Sequence, residues 1–114
     1  GKSPAGIYLD EKLGKIFVAN REDNNVYVLN TTNFKIIKKI KVEKAPFGIY
    51  SEEYLDYVFV TNVQSNSISV INKHSFEIIK NIKVGKWPYS AIHNILMHQL
   101  SIPILLINSF YCNR

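Results

Sequence analysis

The chain repeats itself after 42 residues, and this periodicity constrains the fold more than any other feature. Residues 4–8 (PAGIY) return as 46–50 (PFGIY), and residues 17–20 (FVAN) return as 59–62 (FVTN). About 20 of the 42 aligned positions are identical, and the alignment needs no gap. A repeat of this length indicates one supersecondary unit that occurs at least twice and buries its apolar surface against its neighbours.

Each unit contains four short β-favouring segments separated by residues that favour turns. In the first unit these segments lie near residues 6–9, 15–19, 26–29 and 34–42. The second segment is rich in β-branched and aromatic side chains, which suit strands. Four strands in about 40 residues are typical of a propeller blade, whereas helical repeats would space their apolar residues by three and four. We therefore predict an all-β fold: two consecutive four-stranded antiparallel β-propeller blades, part of a larger propeller.

The repeat also predicts the organisation of the chain into a first blade (1–45), a second blade (46–87) and an irregular C-terminal tail (88–114). Residues 1–4 match 85–88 at twice the period, so we expect the chain to open inside a link between blades. After residue 88 the pattern decays, and Pro103 falls where a central strand is expected. A degenerate or shortened third blade, an artificial chain end and a frame-shifted tail remain alternatives for the tail.

Three segments of the second unit have a recognisable form: residues 57–62 (YVFVTN), 66–72 (NSISVIN) and 82–88 (IKVGKWP). They resemble the YVTN β-propeller repeat of archaeal surface-layer proteins and of the periplasmic YncE-like group. The resemblance covers residues 1 to about 90. The chain departs from the family pattern at Asn30 and Asn72, where the family usually has an Asp that closes the third strand. Asn and Asp make the same hydrogen bonds in a turn, so only a negative charge is lost.

The resemblance implies an extracytoplasmic protein, at the cell surface or in the periplasm, with a non-catalytic binding or structural role. Because related propellers also act on small molecules such as lactones, or accompany redox cofactors, an enzyme fragment is the alternative. Its active-site residues would then lie in blades outside this sequence.

Charge and hydropathy exclude several classes of protein. Lys and Arg number 14 against 9 Asp and Glu, and the net charge of +5 is spread along the chain. We expect no nucleic-acid partner, since no Arg-rich tract is interleaved with aromatic residues. The most apolar stretch, residues 92–110, is interrupted by polar residues, so we expect no membrane span. A disulfide scaffold is excluded because Cys112 is the only cysteine.

No motif in the sequence predicts a catalytic residue, a cofactor or a metal. There is no nucleophile elbow and no phosphate-binding glycine loop. His93 and His98 are five residues apart, which suits neither one face of a helix nor one face of a strand, and His74 is expected to be solvated in a turn. The carboxylates of the first turn in each unit are expected at the surface: Asp10, Glu11, Glu52 and Glu53.

The most regular repeat positions are interpreted as determinants of the fold. Asn20 and Asn62 end the second strands, and we expect their side chains to bond the backbone of the following loop, with ligand contact as the alternative. The remaining positions are glycines that permit a bend or a close backbone approach and prolines that set the links between blades: Pro4, Gly6, Pro46, Gly48 and Pro88.

One surface is a candidate for ligand binding. In an antiparallel blade, the link from the fourth strand to the next blade lies at the same end as the loop between the second and third strands. This arrangement gathers positive and hydrogen-bonding side chains at one end: Lys2, Lys44, Lys86, Arg21 and Gln64. Simple solvation of these lysines is the leading interpretation, and attraction of an anionic glycan or protein to the arc is the alternative. The other expected partners are further blades of the parent chain or a second copy, through self-association.

Overall fold

The computed structural model describes residues 3–84, which form two four-stranded antiparallel sheets with the strands in chain order. Blade 1 consists of β1 (Pro4–Asp10), β2 (Lys15–Asn20), β3 (Asn25–Asn30) and β4 (Ile36–Lys41). Blade 2 consists of β5 (Pro46–Tyr50), β6 (Tyr57–Asn62), β7 (Ser67–Asn72) and β8 (Ile78–Lys83). The prediction of an all-β fold with two four-stranded sheets is confirmed. The tail 88–114 lies outside the described residues.

The backbone conformation repeats along with the sequence. Left-handed φ values occur at three pairs of non-glycine residues that lie 42 positions apart: Ser3 and Ala45, Asn24 and Asn66, and Phe34 and Phe76. In the turns between third and fourth strands, the Phe34 amide donates to the Asn30 carbonyl and the Phe76 amide to the Asn72 carbonyl, both at 2.9 Å. Among residues 3–84 there is no helix long and apolar enough to cross a membrane.

The larger of two buried apolar clusters lies between the two blades, and a smaller one consists of blade 2 residues: Leu55, Phe59, Ile68 and Val70. Because side chains alternate across a strand, each blade has two faces. The face of blade 1 that packs against blade 2 is called its trailing face. It contributes five side chains to the shared cluster: Phe17, Ala19, Val26, Val28 and Ile40. We call the opposing face of blade 2 its leading face; it contributes Ile49, Val58, Val60 and Ile71. A fully buried aliphatic side chain contributes about 1.5–3 kcal/mol, so this contact stabilises both blades.

A glycine in the first strand permits a close approach of the two blades. A methyl group built on Gly6 would overlap the backbone carbonyl oxygen of Phe47 in β5. The β1–β2 register also shifts between Pro4 and Gly6, as expected for a local irregularity beside this contact. At the equivalent Gly48, a methyl group would instead meet the ring of Tyr50, with its nearest carbon at 2.8 Å. A close approach was expected at both glycines. At Gly6 the approaching group is the backbone of Phe47, and at Gly48 it is the side chain of Tyr50.

This difference predicts unequal effects of two matched substitutions. We expect Gly6→Ala to lower the free energy of unfolding by about 1–3 kcal/mol, because two backbones must separate. Gly48→Ala should cost less, since the aromatic ring can shift. Urea unfolding of both variants measures the difference, and equal losses would contradict the backbone contact at Gly6.

Candidate functional site

The link between the blades is held against loops from both of them. The backbone amide of Gln64 donates to the Lys44 carbonyl at 3.2 Å, and the backbone amide of Lys44 donates to Ser65 Oγ at 2.8 Å. From blade 1, Asn24 Oδ1 accepts a hydrogen bond from the Ala45 amide at 3.0 Å. These bonds place the β4–β5 link at the same end as the β2–β3 and β6–β7 loops.

A cleft of about 380 Å³ lies at this end, and we call it the link-end cleft. It is lined by Arg21, Glu22, Asn24, Lys44, Ala45 and Gln64. The structure therefore brings together three of the five candidate ligand residues, Arg21, Lys44 and Gln64. The other two candidates, Lys2 and Lys86, lie outside the described residues.

The chemistry of the link-end cleft is that of a hydrogen-bond donor site. The Arg21 guanidinium offers a planar fork that matches a carboxylate or sulfate, and the Lys44 ammonium offers a point charge. Lys44 and Gln64 are exposed and Arg21 is half-buried, so these groups remain accessible to a ligand. Glu22 places one negative charge on the same wall, which leaves the cleft with a small positive excess.

Asn20 and Asn62 tie neighbouring strands together beneath this end. The Asn20 Nδ2 donates to Asn25 Oδ1 at 2.9 Å, and the Asn62 Nδ2 donates to Ser67 Oγ at 3.2 Å and Ser69 Oγ at 2.9 Å. The expected bonds to the loop backbone are thus replaced by bonds to side chains of the next strand. Both Asn side chains are buried, where a polar group needs a partner within the protein; the nitrogens have one, but Asn62 Oδ1 has none among residues 3–84.

The most tightly coupled charged groups lie at the opposite end of the blades. Lys73 Nζ, from blade 2, lies 2.8 Å from Asp10 Oδ2, from blade 1, and donates to the Glu52 carbonyl at 2.7 Å. The two side chains are 2% and 1% exposed. Tyr8 OH donates to Asp10 Oδ2 at 2.8 Å, and the Leu13 amide donates to Asp10 Oδ1 at 2.9 Å. The expectation that Asp10 is a surface group was wrong, because a lysine from the next blade covers and neutralises it.

The pKa values of Asp10 and Tyr8 keep each of these two groups in one charge state near neutral pH. Burial alone would raise the pKa of Asp10, but hydrogen bonds from Lys73, the Leu13 amide and Tyr8 lower it below its ordinary value. Burial, followed by the hydrogen bond to Asp10, raises the pKa of the Tyr8 hydroxyl well above its ordinary value. Asp10 is therefore ionised and Tyr8 neutral, an arrangement suited to holding two blades together rather than to exchanging protons.

A second cleft, of about 530 Å³, lies beside this ion pair, and we call it the turn-end cleft. Its lining comes from the first turns of both blades and the β7–β8 turn: Asp10, Lys12, Leu13, Glu53, Tyr54, Leu55, Asp56, Lys73 and His74. His74 Nε2 lies 3.3 Å from Asp56 Oδ1, and both side chains are exposed. Within residues 3–84, no group of three or more His, Cys, Asp or Glu side chains is arranged to hold a metal ion.

Sequence reasoning missed Lys73, although a signal for it existed. The first unit has Thr31 at the equivalent position, so Lys73 is a point where the two repeats differ in charge. A lysine that replaces a small polar residue directly after a buried strand has a stem long enough to reach the neighbouring blade. Such departures from a repeat are candidates for contacts that are specific to one blade pair.

The chain matches no family model and no curated protein sequence. Among solved structures it is similar to Kuenenia stuttgartiensis hydrazine synthase, with 25% identity, a TM-score of 0.69 and coverage of 74% of this chain and 24% of that one. It is also similar to the β-propeller domain of Myceliophteria thermophila Cps50 (Swd1), with 8% identity and a TM-score of 0.64; the match covers 75% of this chain and 26% of that one. A chain of a nidogen/laminin complex matches with 17% identity, a TM-score of 0.60 and coverage of 73% and 31%. The chain thus has a β-propeller fold and spans 24–31% of the length of these three structures.

The buried ion pair predicts a strongly non-additive pair of substitutions. We expect Lys73→Met to lower the free energy of unfolding by about 3–5 kcal/mol, because it leaves the Asp10 carboxylate buried without a counterion. The double variant Asp10→Leu/Lys73→Met should recover most of this loss, since no charge is then buried. Urea unfolding of the two single variants and the double variant measures the coupling. Additive losses would show that the two charges act independently.

The lowered pKa of Asp10 predicts a stability change in acid. Because the folded pKa lies below the ordinary value of about 3.9, the ion pair stabilises the fold above that pH and is lost as the pH falls through the folded pKa. The free energy of unfolding of the parent should therefore fall more steeply below about pH 4 than that of the double variant. Unfolding curves recorded in pH steps make the comparison, and parallel curves would contradict it.

Proposed function

We propose that this protein is a non-catalytic binding module, built from YVTN-type propeller repeats and belonging to an exported or cell-surface protein. The observation that carries the proposal is the convergence of Arg21, Lys44 and Gln64 on one accessible cleft between blades. These three side chains supply donors for an anion and include no nucleophile or general base. The proposed ligand is an anionic polysaccharide, whose carboxylate or sulfate groups match the donors of the link-end cleft.

The repeat supports a ligand surface larger than one cleft. Lys44 stands in the link between the proposed blades 1–45 and 46–87, and the period places Lys2 and Lys86 at the equivalent positions of the adjoining links. A lysine that recurs in every link would form an arc of positive charge at one end of the propeller. Charges arranged in this way raise the local potential and accelerate the capture of a polyanion, with an effect that weakens as salt increases.

An enzyme fragment is the second candidate, and one observation favours it: the structural likeness to hydrazine synthase at 25% identity. Its active-site residues would lie in other blades. The described residues favour the binding module instead, because their most perturbed titratable groups, Asp10 and Tyr8, are engaged in the contact between blades.

The test compares two charge-matched double variants of the full chain. The double variant Arg21→Glu/Lys44→Glu reverses the charge of the link-end cleft. The control, Lys12→Glu/Lys38→Glu, makes the same change in net charge elsewhere on the chain. We expect the first variant to bind heparin or polygalacturonate about tenfold more weakly, which corresponds to ~1.4 kcal/mol, and with a smaller dependence on salt. The control should retain most of the affinity.

Binding measured by titration at several salt concentrations distinguishes the outcomes. Equal effects of the two variants would show attraction by net charge alone and contradict a site at the link-end cleft. Retained affinity in both variants would contradict the proposal as well.

A further inference from the structure

We infer that Asn30 is an acceptor for an N-linked glycan in the folded protein. Residues 30–32 (NTT) form an Asn-x-Thr acceptor triplet that begins at the last residue of β3. No other Asn-x-Ser or Asn-x-Thr triplet occurs in the 114 residues. The inference rests on the proposed export, because the membrane-bound transferases that use this triplet act outside the cytoplasm.

The equivalent turn of blade 2 shows how the fold can engage an asparagine at this position. Asn72 Oδ1 accepts hydrogen bonds from the backbone amides of His74 at 2.8 Å and of Ser75 at 3.0 Å. These two bonds hold the side chain against the backbone of its own turn. The carboxamide of Asn72 is therefore committed to the fold.

Asn30 makes neither of these side-chain bonds. The turn of blade 1 is instead capped by Asn33, whose Oδ1 accepts a hydrogen bond from the backbone amide of Lys35 at 2.9 Å. The backbone of Asn30 makes the same two turn bonds as that of Asn72, but its side chain has no hydrogen-bond partner within residues 3–84. The Asn30 carboxamide can therefore react without the loss of a contact in the turn.

The middle residue of the triplet separates the two turns further. Lys73 is 2% exposed and is committed to the contact between the blades, where it pairs with Asp10. At the equivalent position Thr31 is half-buried, and Thr32, the third residue of the acceptor triplet, is exposed. A transferase must reach both the asparagine and the hydroxyl group two residues later. The turn of blade 1 meets this requirement, and the turn of blade 2 does not.

The position of Asn30 separates the glycan from the link-end cleft. The Thr31 amide donates to the Gly14 carbonyl at 3.2 Å, so the acceptor turn lies beside the first turn of blade 1. Arg21 follows Asn20, at the other end of the strand β2. A bulky hydrophilic chain on Asn30 therefore leaves the proposed anion site open.

The modification is a glycosyl transfer whose donor is an oligosaccharide carried on a lipid diphosphate. Asn30 Nδ2 attacks the anomeric carbon of the first sugar, so a C–N bond forms and the C–O bond to the diphosphate breaks. The lipid diphosphate leaves with the electron pair of that bond. One hydrogen of Nδ2 passes as a proton to a base of the transferase, and no group is oxidised or reduced.

The test compares two acceptors in the same kind of turn. The full chain is purified unmodified from a bacterial cytoplasm and incubated, folded, with a single-subunit oligosaccharyltransferase and its lipid-diphosphate oligosaccharide. His74→Thr completes an acceptor triplet at Asn72 and keeps both backbone amides that bond the Asn72 side chain. Peptides of residues 27–35 and 69–77, the second with the same substitution, serve as unfolded controls. Intact mass and peptide mapping report which asparagine is modified.

We expect Asn30 in the folded chain to be modified about tenfold faster than Asn72 in the folded variant, because two hydrogen bonds must first break at Asn72. The two peptides should react at similar rates. Equal rates in the two folded proteins would overturn the inference, and so would an unmodified Asn30 in the folded chain. An unmodified peptide 27–35 would overturn it as well, by showing that the triplet itself is no acceptor.

A second pair of variants examines the hydroxyl group. Thr32→Ser should remain modified and Thr32→Ala should not, since the alanine removes the hydroxyl group that the transferase requires. Persistent modification of Thr32→Ala would contradict the acceptor triplet. Export plays no part in these assays, so a negative result would refute the acceptor at Asn30 and leave the proposed binding module to its own test.

Discussion

The packing of one blade's leading face on the other blade's trailing face is the contact on which the rest of the structure depends. Val58 and Val60 of β6 are fully buried because Phe17 and Val26 lie opposite them in a common core. A sheet that is apolar on both sides gains stability only by burying both, so a blade depends on its neighbours. The same contact creates both clefts, since each is lined by residues of the two blades together.

The buried pair of Asp10 and Lys73 acts on this contact in a different way. Apolar packing is non-directional, whereas an ion pair with further hydrogen bonds adds a directional contact between the blades. Desolvation offsets much of its Coulombic gain, so removing one partner costs more than the intact pair contributes. Blade 1 has Thr31 at the position of Lys73, so the two described blades differ at this contact.

Sequence patterns predicted the strands well and the side-chain contacts less well. Strand positions follow from local alternation and turn chemistry, both contained within about ten residues, and Asn30 and Asn72 end their strands as expected. Asn62 was expected to bond the loop backbone, but its amide reaches Ser67 and Ser69 across the strand pair. Asp10 was expected at the surface, since nothing within its own turn indicates the lysine that lies 63 positions later.

The sequence by itself determined the repeat, the number of strands and the end of the blade at which each loop lies, because antiparallel strands in chain order alternate their connections between two ends. That logic alone placed Arg21, Lys44 and Gln64 together. Only the tertiary structure decided that Lys73 neutralises Asp10 and that Gly6 meets the Phe47 carbonyl. These contacts depend on the offset and rotation between two sheets, and that geometry is set by the packing of whole faces rather than by any local pattern.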